Sequence, residues 1–360
     1  MALKTFRDFD AVHPLVSICL PSLNTRPFLG ERMASILAQT VTNWELIVCD
    51  SYSTDGSWEY LRTFANDTRV KLFQVPKEGI YAGWNECLSR ACGEYIYIAT
   101  SDDTASPNLL ERMVGVLEKN LSVELTVCGF DFIDEQGYKM NPPPFQVVGS
   151  FYDAYRDQLH QRAGLMEFLV HLCLDVPSWT TIASVVFRRR LLDKVGLFRT
   201  DCGTCADRLW AMKAALATDT ISLPDHLATW RKHPAQASWV KPSLAKLRRN
   251  ADLSFETLMV CEPALPAHWK TNSGWRDRIL RNVRGQYLKA IGLDRLTLRK
   301  NRTRFLKGFA YACVHEPQFL YQRLASGLSW KDAPFGDEEE FLRRIITDWK
   351  VPWPPKYISE

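Results

Sequence analysis

The stretch "GIYAGWNECLSRACGEYIYIATSDD", residues 79–103, holds the reading of the fold. Its first half spaces apolar residues at a helical period and stops at Gly93. "EYIYIAT" then alternates β-branched and aromatic residues over a strand's length. The strand ends in two adjacent carboxylates, Asp102 and Asp103. Helix, break, strand and paired acids form the second half of a β-α-β unit, with the acids where such a sheet meets its ligand.

The same alternation runs upstream. "LVSICLP" (15–21) reads as a buried strand, and "PFLGERMASILAQT" (27–40) as a helix with Leu29, Met33, Ile36 and Leu37 on one face. "WELIVCD" (44–50) is a second strand. A helix capped by Ser53, Thr54 or Asp55 follows it, and "VKLFQVP" (70–76) is a third strand. Four such repeats predict a parallel sheet with helices on both faces. Ligands of these sheets lie beyond the carboxyl ends of the strands. Here those ends are Pro21-Ser22-Leu23-Asn24, Asp50-Ser51, Pro76-Lys77-Glu78-Gly79 and Ser101-Asp102-Asp103.

Further on, strands are expected at 124–134, at the start of "TIASVVFRRRLLDKVGLF", which runs on into a short helix, and at 226–234, and helices at 163–175 and 206–219. In the last helix Leu209, Met212, Ala215 and Leu216 share a side. From about residue 240 the β-α alternation gives way to helical, basic sequence. This predicts a domain over 1–240 and a helical extension over 241–360, ending in the extended "VPWPPKYISE". Sixteen Lys or Arg stand against five Asp or Glu between Lys241 and Lys307, while the whole chain carries only +4. That segment is either a solvated helical face or a contact for an anionic surface, such as a membrane.

Composition narrows the class. With 46% hydrophobic and 24% charged residues the 360-residue chain is globular in character, and its apolar runs are too short to span a membrane. The opening "MALKTFRDFD" lacks the apolar core of a signal segment, so a cytoplasmic chain with reduced thiols is expected. Cys202 and Cys205 form one isolated C-x-x-C, without the second pair that a zinc site needs. "PSLNTRPFLG" after the first strand has one glycine, which argues against a dinucleotide fingerprint or a P-loop. A nucleotidyltransferase would want a Gly-rich, basic loop there, and only Arg26 is offered. Nothing points to nucleic acid.

Adjacent carboxylates at a strand end suit Mg²⁺ or Mn²⁺, which take oxygen ligands and are often shared with substrate phosphates. The competing use is structural. Asp103 or Ser106 could cap a helix starting at "PNLLERMVGVL", with Pro107 at its first position.

Five stretches together resemble the family-2 glycosyltransferases of GT-A fold: "VSICLPSLN", "SILAQTVTNWELIVCDSYSTDGS", the opening stretch, "ADRLW" and "WRKHPAQAS", in the family's order over about residues 14–240. The resemblance implies an α/β fold with a mostly parallel sheet. It also implies a metal-dependent, inverting transfer of a sugar from a nucleoside diphosphate sugar, a UDP-sugar first among them, to a glycan or lipid-linked hydroxyl acceptor. Pro21, Ser22, Leu23, Asp50 and Ser51 match positions that bind base or ribose, with Ser51 standing where the family has a second acid. Lys77, Glu78 and Gly79 match the loop beside the base, and Tyr81, Trp84 and Asn85 the helix beneath the sugar nucleotide. Thr100-Ser101-Asp102 takes the place of the D-x-D, with Thr100 at its first acid. The metal therefore rests on Asp102, with Asp103 near metal or sugar and His233 near metal or diphosphate. Asp207 matches the general base of an E-D pair whose Glu is Ala206 here; Asp201 and Asp219 are lesser candidates, and an N-cap is the structural use of Asp207. Trp179, Thr180 and Thr181 would face acceptor or donor sugar. The three departures from acid, Ser51, Thr100 and Ala206, also allow a non-catalytic nucleotide-sugar-binding or scaffolding member.

Overall fold

The structure is a computed structural model that describes residues 13–141, 152–174, 179–202, 206–236, 243–265, 267, 291–293, 295–315, 317, 320–321 and 338–359. The N-terminal repeats fold as their periods predict. Strands β1 (Val16–Ser22), β2 (Trp44–Asp50), β3 (Val70–Gln74) and β4 (Tyr95–Ile98) alternate with helices α1 (Arg26–Leu37), α2 (Ser57–Arg62) and α3 (Ile80–Leu88). Helix α4 (Leu109–Lys119) and strand β5 (Leu125–Ile133) follow, then β6 (His160–Arg162), α5 (Gly164–Leu174), β7 (Val185–Arg188), α6 (Leu191–Val195), α7 (Ala206–Ala217), β8 (Thr220–Arg231), α8 (Leu244–Cys261) and β9 (Lys356–Tyr357).

Among the described residues the strands form one nine-stranded sheet in the order β3-β2-β1-β4-β7-β5-β8-β6-β9. β1 pairs in parallel with β2 and β4, and β2 with β3, in a register that sets Ser22, Asp50 and Gln74 level. β7 runs antiparallel to both β4 and β5, and β8 runs parallel to β5, so the reversed strand β7 separates two parallel sets. This is the α/β sheet flanked by helices that was expected. Every residue of β2 and β4 is buried, as strands covered on both faces require.

Leu29, Met33, Ile36, Leu61, Leu109 and Met113 pack against one face of the sheet, and Tyr81, Trp84, Cys87, Leu191 and Trp210 against the other. A third apolar cluster joins α5 and α7 to residues from far along the chain, including Leu258 of α8 and Leu342, Ile345 and Trp349 in or just after the helix Glu338–Asp348. The tail also adds β9 to the sheet edge, where it pairs antiparallel with β6.

Several local expectations are corrected. Leu37 is exposed, and Arg32 takes its place inside, one nitrogen donating to Tyr97 Oη at 3.1 Å. α3 ends at Leu88 instead of Gly93, and β8 begins at Thr220, six residues before the expected start. Gly56 is the N-cap of α2, while Asp55 Oδ1 accepts the Ser57 N–H at 3.0 Å. α4 begins at Leu109 rather than at Pro107, and neither Asp103 nor Ser106 caps it; Gln39 Oε1, at the end of α1, accepts the Leu110 N–H at 3.1 Å. Cys202 is buried, and Cys205 lies outside the described residues, as do Pro142-Pro143-Pro144.

One close approach holds the two halves of the third cluster together. A Cβ added at Gly164, the first residue of α5, would lie 2.0 Å from the Ala215 carbonyl oxygen and 2.5 Å from that of Thr218. Both are backbone atoms at the end of α7, so the helices would have to separate. Gly164→Ala should therefore destabilise the fold by about 1–3 kcal/mol. An unchanged thermal midpoint in that variant would show that the two helices have room to part.

Candidate active site

The first two strand ends are tied to each other. Ser51 N–H donates to the Ser22 carbonyl at 2.8 Å. Asp50 is fully buried, and its two oxygens accept the Ser53 N–H at 2.9 Å and the Ser53 hydroxyl at 2.6 Å. Asn24 crosses between the loops, its N–H donating to Ser53 Oγ and its Oδ1 accepting from Thr54 N–H, both at 2.8 Å. Asn24 and Tyr52 hold φ of 52° and 54°, the left-handed region that Asn tolerates and an aromatic residue rarely enters. Pro21 is half-buried, Ser22 buried and Leu23 exposed, so the end of β1 offers both polar and apolar surface.

Lys77, Glu78 and Gly79 are exposed, and Gly79, with φ of 104°, makes the turn into α3. From α3 the Tyr81 hydroxyl donates to Asp207 Oδ1 at 2.9 Å. Trp84 packs edge-on against Tyr81 and Phe198. The Asn85 amide is engaged with the backbone of Phe198, donating to its oxygen at 2.8 Å and accepting from its N–H at 3.0 Å. Trp179 is buried in the same apolar cluster as Tyr81 and Trp84. Thr180 is half-buried, and the buried Thr181 caps the short turn Ile182–Ser184, its hydroxyl accepting the Ala183 N–H at 3.3 Å.

The paired acids divide. Asp103 is buried and clamped: the Thr100 hydroxyl donates to Oδ2 at 2.5 Å, and the Arg231 N–H donates to Oδ1 at 2.7 Å. Burial first, and then the charge of Asp102, pushes its carboxyl up to about 7. Asp102 stays partly accessible, and its Oδ2 lies 3.1 Å from His233 Nε2. Ser101, between Thr100 and Asp102, is buried. The Phe28 ring lies 4.6 Å from the imidazole of His233. Lys232, between Arg231 and His233, lies 3.3 Å from the centre of the Trp230 ring, and burial lowers its ammonium to about 8 against the pull of Asp103 and Asp102.

Arg231 is the residue that sequence reasoning passed over. Its side chain is fully buried, and Nε donates to the Asp102 carbonyl at 2.6 Å, Nη1 to the carbonyls of Asp134 and Glu135, and Nη2 to Glu31 at 2.6 Å. The only signal was its place in "WRKHP", which marked His233 instead.

Asp207 sits in the first turn of α7 and so is not its N-cap. It is half-buried, and Oδ1 accepts both the Tyr81 hydroxyl and, at 2.8 Å, the Arg208 N–H. Oδ2 accepts no hydrogen bond among the described residues. Burial raises the carboxyl above the usual aspartate range, with the Tyr81 bond opposing. The other two aspartates are engaged elsewhere. Asp201 is exposed and paired with Arg199, and Asp219 accepts the Gly164 N–H at 2.8 Å at the start of α5.

Among the described residues no group of three or more His, Cys, Asp or Glu side chains is close enough to hold a metal ion. Two ligands are nevertheless compatible with Mg²⁺ or Mn²⁺ when substrate phosphates and water complete the shell. Asp102 and His233 meet that description, since Asp102 Oδ1 accepts no hydrogen bond among the described residues and both oxygens of Asp103 are already engaged.

Residues 17–173 match the model of Glycosyl transferase family 2. This segment is similar to that family. The match runs from β1 to α5, so it contains the loops after the first strands and the paired acids, while Asp207 and His233 lie beyond it. The chain is 37% identical over 129 residues to the putative glycosyltransferase EpsE of Bacillus subtilis, covering 35% of this chain and 46% of that one. It is 31% identical over 224 residues to the uncharacterized glycosyltransferase EpsJ of the same organism, covering 61% and 62%. Over 107 residues it is 36% identical to an Escherichia coli protein, WfgD, named as a UDP-Glc:α-D-GlcNAc-diphosphoundecaprenol β-1,3-glucosyltransferase, covering 29% and 42%. The chain thus spans about half the length of the curated relatives it matches.

Among solved structures, Staphylococcus aureus TarS in complex with UDP-GlcNAc superposes with a TM-score of 0.53 at 17% identity, covering 82% of this chain and 89% of that one. The mannosyltransferase PcManGT of Pyrobaculum calidifontis, in complex with GDP-Man and Mn²⁺, gives 0.51 at 19%, covering 95% and 89%. These likenesses establish the GT-A fold.

Proposed function

We propose that this chain transfers a sugar from a nucleoside diphosphate sugar to a hydroxyl acceptor, with inversion at the anomeric carbon. The observation that carries the reading is Asp207: a carboxylate of raised affinity for protons, fixed through one oxygen by Tyr81 of α3 and open at the other. In the transfer the acceptor oxygen forms its bond to the anomeric carbon and loses its proton to Asp207 Oδ2. The bond from that carbon to the diphosphate breaks, and its electron pair leaves with the nucleoside diphosphate. A carboxylate that binds protons more tightly than free aspartate is the better base for this step. Attack and departure on opposite faces give inversion.

Asp50, Ser51, Lys77, Glu78 and Gly79 would hold the nucleoside, and Lys232 stands beside the acids to meet the diphosphate charge. Bound Mg²⁺ or Mn²⁺, held by Asp102 and His233, would neutralise the charge that builds on the leaving group. A UDP-sugar is the favoured donor, because TarS is crystallised with UDP-GlcNAc and WfgD is named for UDP-Glc. WfgD's name also supports a lipid-linked glycan as acceptor.

The test is a donor screen by thermal shift with UDP-, GDP- and dTDP-sugars, with Mn²⁺ and with chelator. A ligand at a hundred times its Kd adds about 2.7 kcal/mol of stability. A UDP-sugar should raise the melting midpoint in Mn²⁺ and lose most of that effect in chelator. No stabilisation by any sugar nucleotide would sink the reading.

A further inference from the structure

We propose that the helix Arg302–His315 is a docking face for an anionic lipid surface, with its outer apolar stripe entering the headgroup layer. The inference is independent of the donor chemistry. The rotation of this helix is set by packing. Phe305 and Ala312 are buried with Ile291, Leu293 and Leu320. A Cβ at Gly308 would lie 2.3 Å from the Ile291 carbonyl oxygen, so the backbones touch there and the helix cannot turn without losing that seat. The opposite side then presents Leu306, Ala310 and Val314, one turn apart, with Cys313 beside them. Leu306 is 64% exposed and Val314 74%. In the preceding helix Leu298 is exposed as well.

Charge selects the occupant. Residues 295–315 contain six Lys or Arg and no Asp or Glu. Arg299, Lys300, Arg302 and Lys307 are exposed, with Arg302 and Lys307 flanking the stripe. An apolar stripe edged by cations fits a leaflet of anionic lipid: the aliphatic groups enter the acyl boundary, and the long basic side chains reach the phosphates. A second copy of the chain would bring the same positive charge to the contact and be repelled.

The experiment is cosedimentation of the full chain with vesicles containing phosphatidylglycerol, against vesicles of phosphatidylcholine alone, at low and high salt. Binding to the anionic vesicles is expected, weakened by salt. Leu306→Glu with Val314→Glu should lower it about tenfold or more. Lys300→Gln and Arg302→Gln should each lower it about fivefold. Both pairs of sites are exposed, so the variants should melt with the wild type. The proposal is overturned if wild type ignores anionic vesicles, if the Glu variant binds them equally well, or if the stripe substitutions abolish self-association of the chain and leave vesicle binding unchanged.

Discussion

Asp207→Asn should remove sugar transfer while leaving donor binding intact and the fold more stable at neutral pH. The amide keeps an oxygen to accept from Tyr81 and Arg208, so the local geometry survives. It cannot accept a proton at the other position, and a positioned base contributes roughly 10²–10⁴ in rate. The stability gain follows from the direction of the shift. Burial raises the Asp207 carboxyl in the folded state, so the folded chain binds its proton more tightly than the unfolded chain does. The linked stability is complete below the ordinary aspartate value and is lost as pH rises through the raised one. Where the wild-type carboxyl ionises it does so against its desolvation, a cost that the amide removes. Steady-state transfer and thermal melts across pH check both halves. Turnover near wild type would end the assignment of the base, and a lower midpoint at neutral pH would contradict the burial argument.

Arg231→Ala should destabilise the fold by about 1–3 kcal/mol and weaken donor binding with it. Truncation removes the Arg231 donor from the Asp102 carbonyl, while the Asp134 carbonyl still accepts the Gly137 N–H and exposed Glu135 can turn to water; a buried acceptor left unmet costs about 1–3 kcal/mol. The ion pair with Glu31 adds little, since Glu31 is half exposed. Most of the loss should therefore lie in the carbonyl cradle. Arg231→Lys makes the distinction: it keeps the charge and loses the planar fork. It should recover less than half of the lost stability in urea titrations. Full recovery by Lys, or an Ala variant within about 1 kcal/mol of wild type, would show that charge or bulk alone suffices. Weaker donor binding is expected because Arg231 fixes the backbone carbonyl of Asp102.

The half of the fold with local periods was legible from the residues alone. β1 to β4 announce themselves because each buried strand is followed within a few residues by a helix of matching period, and the topology then places Asp50, Gly79 and Asp102 at one edge. β6 and β9 were missed because three and two residues carry no period, and their pairing depends on distant chain. The site divided in the same way. Asp102 and His233 each stand in a stretch singled out from the sequence, and the fold brings them within 3.1 Å. Asp103 could not be told from a helix cap, because its partner, the Arg231 N–H, lies on the other side of β7 in another parallel set. The Tyr81–Asp207 bond is equally remote in sequence, and it turns a residue expected beneath the sugar nucleotide into an anchor for Asp207, the proposed base. Arg231 stayed hidden because a buried guanidinium that serves carbonyls leaves no pattern in a sequence.

The pairing of β9 with β6 sets an order on folding during synthesis. β1 to β4 find their neighbours soon after they leave the ribosome, since each partner is close in the chain. β6 gains β8 on one side, and its other edge has no strand until Lys356 and Tyr357 emerge. For that interval the nascent protein carries an open strand edge, the kind of surface on which chains associate wrongly. The edge is only three residues long, which limits the hazard, and residues made long after it are the ones that close it.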